Sequence, residues 1–144
     1  MVSDNRLAYW AAGLSSVAVI AHLVNIQEHL HEWWGYGTFF ILAASIQLYY
    51  GIVLFLRPWR YDDSGALRGD AGSRGRTYYF WGMVLNALVI VVYIMTRTSG
   101  MTFLSAQAIS GPVTPTNLIS VAVNIPIIYC LAVLWRRTRR NIAS

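Results

Sequence analysis

The residues with the most chemical potential lie close together, between His22 and Gly37. All three histidines (His22, His29 and His31) and both glutamates (Glu28 and Glu32) fall there, followed by Trp33, Trp34 and Tyr36. On a continuous helix, His22 and His29 share a face but stand roughly 10 Å apart along the axis at about 1.5 Å per residue. That is too far for both to ligate one metal, whose nitrogen ligands sit at about 2.0–2.1 Å. Closer pairs form at three-residue spacing, Glu28 with His31 and His29 with Glu32, each on a shared face. A copper or zinc site built from His29, His31 and a carboxylate of Glu28 or Glu32 is one reading.

The Glu28-x-x-His31 spacing also occurs in di-iron carboxylate bundles, but those need two such motifs and two further carboxylates. The remaining acids are Asp4, Asp62, Asp63 and Asp70. They fall in segments assigned below to the other side of the membrane, which excludes a di-iron centre within one chain. Haem held between two spans meets a similar obstacle, because His22, His29 and His31 occupy one segment. One-sided ligation or a site shared by two copies remains open. The bland alternative is a polar helix end, with Glu28 and Glu32 paired to Arg97. His22 differs from the others in lying within an apolar stretch, where an ionisable group is a functional candidate by default.

The elements that position these residues follow from composition. Of 144 residues, 56% are hydrophobic and 12% charged, against about 25% charged in an ordinary soluble domain. Mean hydropathy is +0.47. Apolar stretches at 7–26, 37–56, 77–96 and 116–135 each provide the roughly 20 residues that cross a bilayer core of about 30 Å. The expected fold is therefore all-α: a single domain over 1–144, an integral membrane antiparallel four-helix bundle. The first stretch is expected to be retained as a span, because 21–26 offers no small-x-small cleavage site. Arg57-Pro58-Trp59-Arg60 ends the second span. Residues 61–76 read as a solvated loop. Thr102–Ser110 reads as a short interfacial or re-entrant helix, and Pro126 should kink the fourth span.

Arginine placement sets the orientation. There is no lysine, and of the eleven arginines only Arg97 falls outside the leader, the middle loop and the tail. Those three segments share one side, which should be cytoplasmic, placing both termini inside. His22–Gly37 and Arg97–Pro115 then face outward, across the inner (plasma) membrane of a bacterial cell. The basic balance speaks for orientation, with no nucleic-acid role. Trp33, Trp34 and Tyr36 suit an outer interfacial belt, and Trp59, Tyr61 and Trp135 an inner one.

Gln47, Asn86 and Asn124 fall near the middle of the second, third and fourth spans. Side-chain amides at that depth need partners, so they should turn inward and meet. They would form an interhelical clamp or line a solute path, with Tyr49, Tyr50 and Tyr93 able to join either. Cys130 stands alone, which excludes an intrachain disulfide, and reads as a small buried apolar residue.

The segment Glu28-His29-Leu30-His31-Glu32-Trp33-Trp34-Gly35-Tyr36-Gly37-Thr38-Phe39-Phe40, with Gln47 and the turn Thr96-Arg97-Thr98-Ser99-Gly100, resembles a group of small actinobacterial-type four-span membrane proteins. The resemblance implies the four-span fold and its orientation, and implies no activity. Met101–Ala106 is more apolar here than the group's pattern. Three functions follow as expectations. The first is a non-enzymatic structural, interaction or accessory subunit, assembling with itself or a larger membrane complex through an outer His/Glu/Trp face. The second is a metal- or haem-binding redox or metal-handling protein using His22, His29 and His31. The third is an oligomeric solute channel or carrier through the amide core.

Overall fold

The computed structural model describes residues 3–32, 34–98 and 115–143. These form α1 (Asp4–Glu32), α2 (Trp34–Leu56), a 3-10 turn (Pro58–Arg60), α3 (Ala71–Thr98), α4 (Pro115–Ala122) and α5 (Asn124–Ala143). The described residues contain no strand beyond an isolated Tyr61–Leu67 bridge. Four stretches, Asp4–Ile26, Gly37–Arg60, Ala71–Met95 and Leu118–Arg140, are long and apolar enough to cross a membrane. The interfacial helix expected at Thr102–Ser110 lies outside the described residues.

α1 and α2 form an antiparallel hairpin. The register is visible in three contacts: Tyr9 against Phe55, Ser15 against Gly51, and His22 against Phe40. Close approach is possible because the buried stripe of α1 is made of small residues, Ala8, Ala11, Ala12, Ser15 and Ala18. Small side chains at a membrane-helix interface let backbones approach and gain dispersion contacts. A Cβ at Gly51 would lie 3.3 Å from Ser15 Cβ, so glycine fits that crossing. The outer faces carry Trp10, Ile20, Val24, Leu48 and Leu56, all exposed. Large apolar groups outside and small ones inside suit a lipid surround better than water.

α1 also packs on α4 and α5, and α3 packs chiefly on α5. By contrast, the α2 and α3 backbones stand apart along most of their length. Long side chains bridge them: Gln47 reaches Asn86, and the Tyr50 hydroxyl donates to the Tyr78 carbonyl at 2.8 Å.

The leader, the middle loop and the end of α5 meet at one end of the bundle. Arg137 Nη1 lies 2.7 Å from Asp4 Oδ1, and Arg57 Nη1 donates to Asn5 Oδ1 at 2.7 Å. Arg57 is buried and left-handed (φ 50, ψ 58), closing α2 before Pro58. This is the usual helix stop followed by proline, here on a non-glycine residue at a cost of about 1–2 kcal/mol. The guanidinium offsets that strain with a second bond to the Asn5 carbonyl at 3.3 Å and a place 4.8 Å from the Tyr9 ring centre.

Two expectations change, and a third, the kink in the fourth apolar stretch at Pro126, is seen as a helix break. α3 starts at Ala71, six residues before the expected span, because Asp70 receives Arg74 Nε at 2.5 Å and its carbonyl accepts Ser73 Oγ at 3.0 Å. These bonds let a polar, glycine-bearing turn continue the helix. Trp59 is not an interfacial anchor. It is only 5% exposed, stacked 4.6 Å from the Tyr78 ring and edge-on to Tyr79. The fourth span is two helices, with the break at Val123. Pro126 has no N–H for the Ala122 carbonyl and crowds it.

In the loop before α3, the Asp62 carboxylate holds the turn at 62–66. Asp62 Oδ1 accepts the Ser64 and Ala66 amides at 2.9 Å each and Ser64 Oγ at 2.6 Å. The Ser64 side-chain bond, then the Ala66 amide, hold the Asp62 carboxyl below the usual 3.8. A depressed carboxyl supports order above its unfolded pKa and loses that support as pH falls through its folded one. Amide exchange at Ser64 and Ala66 should therefore be protected at neutral pH, with the protection lost only below the usual carboxylate range. Asp62→Asn should blunt that pH dependence.

Candidate functional site

The best-defined site is the amide cluster at mid-bundle. Gln47 comes from α2, Asn86 from α3, and Asn124 is the first residue of α5. All three are at most 5% exposed. Gln47 Nε2 donates to Asn124 Oδ1 at 2.7 Å and to Asn86 Oδ1 at 3.3 Å. The structure thus brings together the three amides singled out from sequence.

The direction of these bonds is determined by the helices. Asn86 Nδ2 donates to the Gly82 carbonyl at 2.7 Å, one turn back. Asn124 Nδ2 donates to the Ser120 carbonyl at 2.6 Å and the Val121 carbonyl at 3.3 Å, across the break ahead of Pro126. With both asparagine nitrogens turned to their own backbone, each offers an oxygen to the centre. Gln47 has two amide hydrogens and no other way to satisfy both oxygens. Its nitrogen must face them, which strands its own oxygen: Gln47 Oε1 is buried without a partner.

Tyr50, one turn along α2, is buried with its hydroxyl donating to α3, whereas Tyr49 is 68% exposed and faces away. Tyr93 is half-buried. Cys130 is buried in the apolar core.

His22 is 1% exposed, with its ring centre 5.6 Å from that of Phe40. Among the described residues, neither ring nitrogen has a hydrogen-bond partner. α1 runs unbroken from Asp4 to Glu32, so Glu28, His29, His31 and Glu32 all sit on its last turns. Arg97 lies in the last turn of α3. The side chains of these five lie outside the described residues, and with them the expected metal site and the Arg97 ion pair. Among the described residues, no three His, Cys, Asp or Glu side chains converge.

Among the described residues, four buried polar ones were missed from sequence: Ser15, Asn25, Arg57 and Ser120. Asn25, 1% exposed, donates to the Ala21 carbonyl at 2.9 Å. It stands one turn from His22 on the same stripe, a spacing that could have flagged it. Arg57 reads from sequence only as a stop, because a residue before proline is biased to extended backbone and the left-handed cap is ordinarily glycine or asparagine.

The chain matches no protein-family model, no curated protein and no solved structure.

Proposed function

We propose that this chain is a non-catalytic integral membrane protein, a structural or accessory subunit of a larger membrane assembly. The observation that carries this reading is the amide cluster. Its buried polar groups are directed at one another and at their own helix backbones, which ties α2, α3 and α5 together. That arrangement serves a clamp better than a solute path. The arginine-bearing end faces the cytoplasm by the excess of positive charge there. The opposite end, where α1 carries Glu28, His29, His31 and Glu32 on its last turns and α2 begins at Trp34, is the recognition face toward a partner or a second copy.

One observation favours a second reading. His22 is buried, and among the described residues neither ring nitrogen has a hydrogen-bond partner, which leaves both nitrogens able to ligate a metal or haem. His22, His29 and His31 would then act from one side of the bundle, or across two copies.

One experiment separates the two. The detergent-purified chain and its His29→Ala/His31→Ala variant are compared for copurifying membrane partners, visible absorption and metal content. On the subunit reading, the variant loses at least tenfold of its partner while spectrum and metal content stay unchanged. Near-stoichiometric copper, zinc or haem that vanishes in the variant overturns that reading in favour of the cofactor site.

A further inference from the structure

Between α2 and α3, where the backbones stand apart, a crevice of about 210 Å³ runs along the bundle. Its walls are Leu42, Ile46, Leu85, Leu88 and Val89, and Gln47 and Asn86 line it at mid-depth. No charged side chain lines it. Apolar cavities of about 150 Å³ stay dry and accept a benzene-sized guest, so this one has room for a ring or a short length of chain.

The chemistry of the amides narrows the guest. Every side-chain nitrogen in the cluster already has an acceptor, and the Tyr50 hydroxyl is committed to the Tyr78 carbonyl. The buried atom left over is an acceptor, Gln47 Oε1. Leaving such a group unpaired costs about 1–3 kcal/mol. A water beside the polar lining groups, Gln47, Asn86, Ser15 and Tyr50, would leave the apolar length of the crevice unfilled. An ion is excluded by the apolar walls. What fits is an apolar body carrying one hydrogen-bond donor.

We propose that the α2–α3 crevice binds an uncharged, hydroxyl-bearing lipophile taken from the bilayer, whose O–H donates to Gln47 Oε1. Ketones and ethers of the same shape lack the donor and are discriminated against. The site is independent of the outer recognition face and of any metal.

The test uses the full chain in phosphatidylcholine vesicles. A diazirine-bearing hexadecan-1-ol is photolysed in parallel with its methyl ether, and the labelled peptides are mapped by mass spectrometry. The alcohol should label residues 39–50 and 85–89 at least tenfold more than the ether does. Ala43→Phe, which fills the crevice, should abolish that excess, and Gln47→Leu should bring alcohol labelling down to the ether level. Equal labelling by alcohol and ether overturns the proposal. So does alcohol labelling spread over outward faces such as Ile20 and Val91 with no excess in the crevice. If the variants fail to fold, the alcohol-to-ether ratio on the unaltered chain decides alone.

Discussion

Gln47→Leu is expected to destabilise the bundle by about 2 kcal/mol, and to do so non-additively with Asn124→Leu. The substitution leaves Asn86 Oδ1 and Asn124 Oδ1 without the Gln47 nitrogen that reaches both. A buried acceptor that loses its donor costs about 1–3 kcal/mol. Two opposing effects reduce the total. Leucine removes the unpaired Gln47 oxygen, and side-chain hydrogen bonds in membrane bundles average only about 0.6 kcal/mol in double-mutant cycles. Asn124→Leu alone should cost a similar amount, because it frees the Ser120 carbonyl next to the helix break as well as the Gln47 nitrogen. The double variant removes both ends of the 2.7 Å bond together, so its loss should fall short of the sum by about 1 kcal/mol or more. The measurement is unfolding in mixed detergent micelles, followed by helical circular dichroism. Strict additivity would mean that Gln47 and Asn124 do not act on each other, and the clamp would have to be abandoned.

That cluster also shows where sequence reasoning reaches and where it stops. Three amides at mid-span could be expected to meet, because desolvated amides need partners and each lay on a different apolar stretch. Their hydrogen-bond polarity was not legible. It depends on Asn86 and Asn124 turning back to their own carbonyls, and for Asn124 on the break ahead of Pro126, which is tertiary geometry. The four long apolar helices and the gathering of arginines at one end were readable for the same reason: hydropathy and charge are sums over many residues, and local detail does not disturb them. Trp59 was not. An aromatic at a span end has the same local signature whether it faces lipid or, as here, Tyr78 and Tyr79. The early start of α3 was hidden by composition, since Gly72, Ser73 and Gly75 resemble a loop until Asp70 and its two bonds are considered. The gap between α2 and α3 has no sequence signal, because it depends on which neighbours each helix prefers.

Gly82→Ala should be the most damaging single-methyl change in the bundle, at about 2–3 kcal/mol, even though alanine is the better helix former. A Cβ at Gly82 would overlap the Tyr50 hydroxyl and ring. Tyr50 has little freedom to yield: its ring is 7% exposed and its hydroxyl is tied to Tyr78. Overpacking of this kind costs about 1–3 kcal/mol, and the displaced phenol also loses its bond. Against this stands the roughly 1 kcal/mol by which alanine favours a helix over glycine. The clash wins because part of it falls on rigid aromatic atoms close to the α3 backbone. Gly13→Ala is the control: no atom lies within 4 Å of a Cβ there, so the propensity term should act alone and leave stability unchanged or slightly raised. Tyr50→Leu supplies the second test. Alone it should destabilise, through lost burial and the lost Tyr78 bond. In the Gly82→Ala background it should cost much less, or recover stability, because it removes the group that the new methyl strikes. The Gly82 carbonyl also receives Asn86 Nδ2, so a shift of α3 at this point carries directly into the amide cluster. Gly82→Ala should therefore also reduce the measured Gln47–Asn124 coupling if α3 moves, and leave it intact if only the Tyr50 ring swings aside. The same micelle unfolding experiment, run as a cycle in both backgrounds, distinguishes the two.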